Sequence, residues 1–292
     1  MRIKSLSRKI ISNVGIYTVI LLIIGLSFSG IGCVDKNEQV TESILIKGSD
    51  TVLPLAQAEA ETFMIENIDR SITVIGGGSG VGIAALIDGN VDIAMASRSM
   101  KGSEIENAKD NGIDPIEHTI SWDGIAVVVN PNNPISALSL SQIQGIYNGT
   151  ISNWKDVGGE DLKITVISRD SSSGTYEYFK EHVLLKEEYR PDTLIQSATG
   201  AIVMEISQNK NAIGYIGIAY LDESVKSIDL KTDSGSASPT VENVKNKTYP
   251  LARPLYFYTD GEPTGPAKEF IDFVMSPTGQ EIVLEIGYIP VA

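Results

Sequence analysis

Three times along this chain a short strand-like run ends in a turn of glycine and hydroxyl residues, and the turn opens a helix-like run. The most polar turn is Ser168-Arg169-Asp170-Ser171-Ser172-Ser173-Gly174-Thr175-Tyr176. It follows the alternating run 162–167, which reads as a strand, and leads into a helix over 176–185. Residues 43–47 likewise read as a strand, Gly48-Ser49-Asp50-Thr51 as its turn and 53–64 as a helix. The strand 71–75, the turn Gly76-Gly77-Gly78-Ser79-Gly80 and the run 81–87 repeat the design. A helix start leaves backbone N–H groups unpaired and carries positive partial charge, so it suits an anion. Serine and threonine hydroxyls add donors, and Arg169 adds a planar, permanently charged fork. One such turn reads equally as a serine cap beside a surface arginine. Three of them, at the strand ends where α/β proteins bind ligands, point to an anion site.

The first residues set the compartment. Residues 1–32 hold Arg2, Lys4, Arg8 and Lys9 and no acid, with an apolar run from Ile16 to Phe28. This is the pattern of a signal peptide, and the run is short for a membrane span, an uncleaved anchor being the alternative. Cys33 is the only cysteine, so no disulfide forms within the chain. It follows Ser29-Gly30-Ile31-Gly32, which resembles a lipoprotein signal, with Gly30 in place of the usual leucine. The other reading of Cys33 is a free thiol in a linker. Residues 33–42 read as a polar tether. Beyond residue 32 the chain carries 19 basic against 37 acidic residues, a net charge of −18. That excludes a surface for nucleic acid or anionic membrane, and an anion site must work by local donors against the global field.

The rest alternates strands and helices, as in an α/β fold with a mainly parallel sheet. Residues 91–96 read as a strand ending at Ser97-Arg98-Ser99, a fourth loop with polar donors, and 103–111 as a polar helix. Residues 122–130 form a strong apolar strand in which Trp122 is expected to pack and Asp123 is out of place. Asp123 reads either as a turn-former or as a hydrogen-bond acceptor in a cleft. Helices are expected at 139–147, 198–206, 266–275 and 279–286, strands at 212–217 and 254–258, and irregular chain over 232–250.

Enzyme chemistry has little to stand on. His118 and His182 read as surface or satisfied core residues, with no HExxH or Cys/His cluster. Gly80–Ala85 fits the loose GxGxxA dinucleotide fingerprint, but helix packing explains it as simply. There is no P-loop, and Gly77–Val81 misses the GxSxG elbow at its last residue. Many oxyanion donors with few proton-transfer groups favour binding over turnover.

Taken together, Gly48-Ser49-Asp50-Thr51, Gly76–Gly80, Val91-Asp92 with Ala96-Ser97, Arg169 with Ser173-Gly174-Thr175, and Ala212-Ile213-Gly214-Tyr215 resemble the phosphate-binding proteins of ABC-type phosphate importers. The likeness runs in order from about Ile44 to Pro290. It implies two α/β lobes of periplasmic-binding-protein type, with mixed, mainly parallel sheets and the ligand in the interlobe cleft. Residues 43–121 and 253–292 would form one lobe and 122–252 the other, after a signal peptide 1–32 and a tether 33–42. The implied phosphate-binding residues are Ser49, Thr51, Ser79, Ser97, Arg169, Ser173, Gly174 and Thr175. One position departs: some family members carry an aspartate directly after Ala-Ser, where this chain has Arg98. Asp123 is expected to supply that acceptor, with Arg98 as a further donor or as its ion-pair partner.

The expected protein is therefore a lipid-anchored, monomeric phosphate carrier on the outer face of the cytoplasmic membrane. It serves ABC permease subunits, is not an enzyme, and takes no cofactor, metal or nucleic acid. The alternatives are another tetrahedral oxyanion (sulfate, molybdate or tungstate), an extracytoplasmic phosphatase, or a surface phosphate sensor or adhesin.

Overall fold

The computed structural model describes residues 42–233 and 235–291. The expected leader 1–32, Cys33 and all of the tether except Glu42 lie outside the described residues.

The chain opens β1 (Glu42–Gly48), α1 (Leu53–Glu66), β2 (Arg70–Ile75), α2 (Ser79–Ile87), β3 (Ile93–Ala96) and α3 (Gly102–Asp110). The long β4 (Pro115–Val129) follows, then β5 (Ala137–Ser139), α4 (Leu140–Asn148), β6 (Thr165–Arg169) and α5 (Gly174–His182). Next come β7 (Leu194–Gln196), α6 (Thr199–Gln208), β8 (Ala212–Gly217), β9 (Lys226–Ser227), β10 (Asp229–Thr232) and β11 (Gly235–Ala237). The chain ends with α7 (Val241–Lys245), β12 (Ala252–Asp260), α8 (Gly265–Val274) and α9 (Pro277–Ile286).

One curled sheet runs β2-β1-β3-β12-β4-β8-β6-β7. Its two wings pair in parallel, β1 with β2 and β3, and β6 with β7 and β8. Its middle is antiparallel, because β12 runs back along residues 115–124 of β4 and β8 along residues 125–129. The fold is thus the two-lobed α/β arrangement expected, with a more evenly mixed sheet. Each wing has its own core. One packs Ile44, Ile46, Leu55 and Phe63 against Leu255, Phe257 and Phe270. The other packs residues 125–129 of β4 against Ile143, Tyr147, Phe179, Ile202 and Tyr215. Phe63 meets the edges of Phe270 and Phe273 at 5.5 Å, and burying each such ring contributes roughly 1.5–3 kcal/mol.

Three expectations change. The strand through Asp123 begins at Pro115, because Ile116, His118 and Ile120 alternate with polar residues ahead of the apolar run. Residues 232–250 are not wholly irregular: they hold β11 and α7, the latter capped by the Thr240 side chain. Trp122 is 40% exposed rather than packed. It sits on the opposite side of the strand from Asp123, and its backbone bridges to Ile289.

Glu59 of α1 is fully buried, and neither carboxylate oxygen has a hydrogen-bond partner among the described residues. Burial pushes its pKa well above the ordinary value. A carboxyl that is harder to ionise folded than unfolded costs stability as pH rises above the unfolded value. Glu59→Met should therefore raise the unfolding free energy by about 1–3 kcal/mol at mildly alkaline pH and by less under acid conditions. Urea titrations at the two pH values check this, and an unchanged or lowered midpoint at alkaline pH would contradict it.

Candidate functional site

The polar turns gather where the two wings face each other. In the first wing, the turn after β1 is tied down by the Ser49 amide donating to Met95 O at 2.8 Å. Ser49 Oγ donates to Ser97 Oγ at 3.0 Å, and Ser97 N donates to Ser79 Oγ at 3.0 Å. Ser79 opens α2 behind Gly78, whose φ of +97° suits glycine. A Cβ at Gly78 would also lie 2.4 Å from Ser172 Oγ, in the turn after β6. That turn docks through Gly80 N donating to Ser172 O at 2.9 Å and Ser172 Oγ donating to Gly77 O at 3.2 Å.

In the second wing, α5 starts at Gly174, and Ser173 Oγ caps it by accepting from the amides of Thr175 and Tyr176. The helix is anchored by Phe179, stacked on Tyr215 of β8 at 3.9 Å. Its first turn meets the other wing directly. Thr175 Oγ1 lies 2.8 Å from Thr51 Oγ1, and a Cβ on Gly174 would stand 2.4 Å from Ser79 Oγ and 2.6 Å from Ser97 Oγ. Only glycine brings the helix start this close to the serines. Ser49, Thr51, Ser79, Ser97, Asp123, Arg169, Ser173 and Thr175 are each at most 2% exposed, and Gly174 is buried with them.

Two buried ion pairs frame this hydroxyl cluster. Arg169 Nη2 donates to Asp50 Oδ2 at 2.7 Å and to Ser197 O at 2.9 Å, and Nη1 donates to Thr199 Oγ1 at 2.9 Å. Its Nε–H is buried and has no partner among the described residues. Asp50 also accepts the Gly77 amide on Oδ1 at 3.1 Å, so one carboxylate joins the glycine turn to the arginine of the facing wing. The second pair is Asp123 with Arg253, whose Nη2 and Nε donate to Oδ2 at 3.0 and 3.2 Å. Ile218 N donates to Asp123 Oδ1 at 3.2 Å. Burial raises the Asp123 pKa above the ordinary value, and Arg253 and the amides of Ile218 and Gly124 offset only part of the rise. A Cβ at Gly217 would lie 3.0 Å from Asp123 Oδ1 and 3.2 Å from the Thr51 methyl. The Asp123 carboxylate is therefore next to the hydroxyl cluster.

The sequence reading missed Asp50, Arg253 and Thr199, and it misplaced Arg98. Arg98 pairs with Glu104 at 2.7 Å, not with Asp123. Glu104 lies one helical turn into α3, where its carboxylate also caps the Lys101 amide. Burial works against the Glu104 charge, but the Arg98 and Lys101 hydrogen bonds hold its pKa below the ordinary value. Arg98 instead helps line a cavity of about 320 Å³ with Lys101, Glu177, His182, Arg253 and Tyr256. At that cavity Lys101 and Glu177 form an ion pair between the wings at 3.1 Å, both partly exposed. Exposed pairs contribute roughly 0.2–1 kcal/mol, so Lys101→Glu should speed anion release by about two- to fivefold. The swap Lys101→Glu with Glu177→Lys should restore the rate in stopped-flow release. Failure of the swap to restore it would remove the pair's role as a latch.

No helix among the described residues is long and apolar enough to cross a membrane. Residues 34–278 match the model of a PBP superfamily domain. The chain is 35% identical to the phosphate-binding protein PstS of Bacillus subtilis (strain 168) over 259 residues, covering 87% of this chain and 82% of that protein. It is 33% identical to the phosphate-binding protein PstS of Pseudomonas aeruginosa, over 87% of this chain and 85% of that one. Among solved structures it matches a putative phosphate ABC transporter substrate-binding protein with bound phosphate from Clostridium perfringens. That match has a TM-score of 0.79 at 40% identity, over 86% of this chain and all of the other. The site geometry and these matches agree: the chain belongs to the PBP superfamily and, within it, to the phosphate-binding proteins of ABC-type phosphate transporters.

Proposed function

We propose that this protein binds inorganic phosphate between its two lobes and delivers it to the permease of an ABC-type importer. The observation that carries this is the buried convergence of hydroxyls at the starts of α1, α2 and α5, with Arg169 paired to Asp50 between Ser49 and Thr51. Ser49, Thr51, Ser79, Ser97, Ser173, Gly174 and Thr175 supply hydroxyl and backbone donors, and Arg169 supplies charge. Asp123 is the acceptor for the proton that phosphate retains at neutral pH and sulfate lacks. Hydrogen bonds to charged groups contribute roughly 1.5–3 kcal/mol each. Half a dozen, less the costs of ordering, support micromolar affinity or better, about −8 kcal/mol.

The finer organisation belongs to the same reading. Residues 43–121 and 253–292 make one lobe and 122–252 the other, supported by the separate cores, one holding Ile120, Leu255 and Phe257 of the β4–β12 ladder and the other residues 125–129 beyond it. The mature chain starts at a lipidated Cys33 and works as a monomer on the outer face of the cytoplasmic membrane. Its task there is carriage rather than catalysis. Isothermal titration of the chain from residue 42 with phosphate, sulfate and molybdate tests the reading. Tight phosphate binding with sulfate silent is expected. Tight binding of sulfate or molybdate with weak phosphate would overturn it.

A further inference from the structure

Arg253 is the charged residue at the centre of the molecule that the anion reading has not used. It is 2% exposed and lies directly across the β4–β12 ladder from Asp123. Four of its five N–H donors are committed. Nε and Nη2 reach Asp123 Oδ2, Nη2 also reaches Thr175 Oγ1 at 2.9 Å, and Nη1 reaches Ser97 O at 2.9 Å. The Tyr178 ring lies 5.5 Å from the guanidinium carbon. One side chain thus ties the Asp123 carboxylate to both the Ser97 loop and the first turn of α5.

We infer that Arg253 is a positioning residue that sets the choice between protonated and unprotonated tetrahedral oxyanions, by holding Asp123 as an ionised acceptor beside the hydroxyl cluster. The inference rests on the assignment of Asp123 as the acceptor. A buried carboxylate without its cation takes up a proton. Its O–H then donates instead of accepting, which suits sulfate and penalises protonated phosphate. The other titratable groups facing Asp123 are Tyr178 of α5, Tyr220 after β8, Tyr249 before β12 and Tyr288 near the C-terminus. Burial pushes all four hydroxyls above the ordinary value, so they stay neutral through the neutral range. Asp50, beyond Tyr220, is paired with Arg169. Arg253 is therefore the one counter-charge in contact with Asp123 among the described residues.

The test measures phosphate and sulfate affinities from about pH 6 to about pH 9 for the chain from residue 42 and its Arg253→Gln and Asp123→Asn variants. In the parent chain, sulfate should bind negligibly throughout. In Arg253→Gln the phosphate-to-sulfate ratio should fall at least about tenfold at the acid end and recover towards the alkaline end, as a carboxyl freed of its cation titrates. A parent ratio kept by Arg253→Gln at every pH, while Asp123→Asn loses it, overturns the inference alone. A parent ratio kept by Asp123→Asn overturns the acceptor assignment itself. If Arg253→Gln does not fold, the parent chain decides: sulfate binding that appears as pH falls would mean that Asp123 titrates despite Arg253, and the inference fails.

Discussion

Arg169→Ala should weaken phosphate binding by a hundredfold or more. The guanidinium stands at the end of β6, held on three sides by Asp50, Ser197 O and Thr199. Truncating one member of a buried, hydrogen-bonded charge pair costs about 2–5 kcal/mol in binding, and each 1.4 kcal/mol is tenfold. The variant also leaves Asp50 buried without its cation, so the fold itself should lose about 3–5 kcal/mol. These two losses separate experimentally. Adding Asp50→Asn to Arg169→Ala removes the stranded charge and should recover much of the melting temperature, while phosphate affinity stays low. Titration calorimetry beside thermal melts reads both. A folded Arg169→Ala protein with parent affinity would remove Arg169 from the site.

Asp123→Asn should change which anion is bound. The amide keeps the shape of the carboxylate but turns one of its acceptors into a donor. Sulfate, which offers only acceptors, gains a partner, and protonated phosphate loses one. A hydrogen bond to a charged group is worth roughly 1.5–3 kcal/mol, so the phosphate-to-sulfate ratio should fall about ten- to hundredfold. Arg253 keeps Thr175 Oγ1 and Ser97 O in this variant, which limits the structural damage. Competition titrations at neutral pH measure the ratio, and an unchanged ratio would place the acceptor elsewhere.

The strand–turn–helix units were legible in the sequence because each joins a period of two, a glycine-hydroxyl turn and an apolar helical run within about twenty residues. Local chemistry fixes those features, so the three turns and Arg169 could be picked out from the residues, while the resemblance singled out Ser49, Ser79 and Gly174 within them. The charge partners could not. Arg253 lies 130 residues from Asp123 in a run with no motif, and only strand register places the two side by side. A signal did exist: each is a charge flanked by an apolar run, Asp123 before residues 124–129 and Arg253 before residues 254–258, and such a buried charge needs a partner of opposite sign. Asp50 was passed over because an acid between Ser49 and Thr51 looks wrong for an anion site until its arginine is seen. Arg98 was misjudged for the opposite reason. It follows the Ala96-Ser97 signature, but Glu104 lies only six residues on and captures it first.

The depth of the cluster bears on how quickly cargo can be exchanged. Ser79, Ser97 and Asp123 expose none of their surface, so an anion held there has no direct path to solvent. It leaves only when the halves part. Dissociation should then follow a single unimolecular clock set by the protein, and a rising excess of competitor should leave the observed rate unchanged. A rate that climbs with competitor would mean exchange by displacement, without parting of the halves.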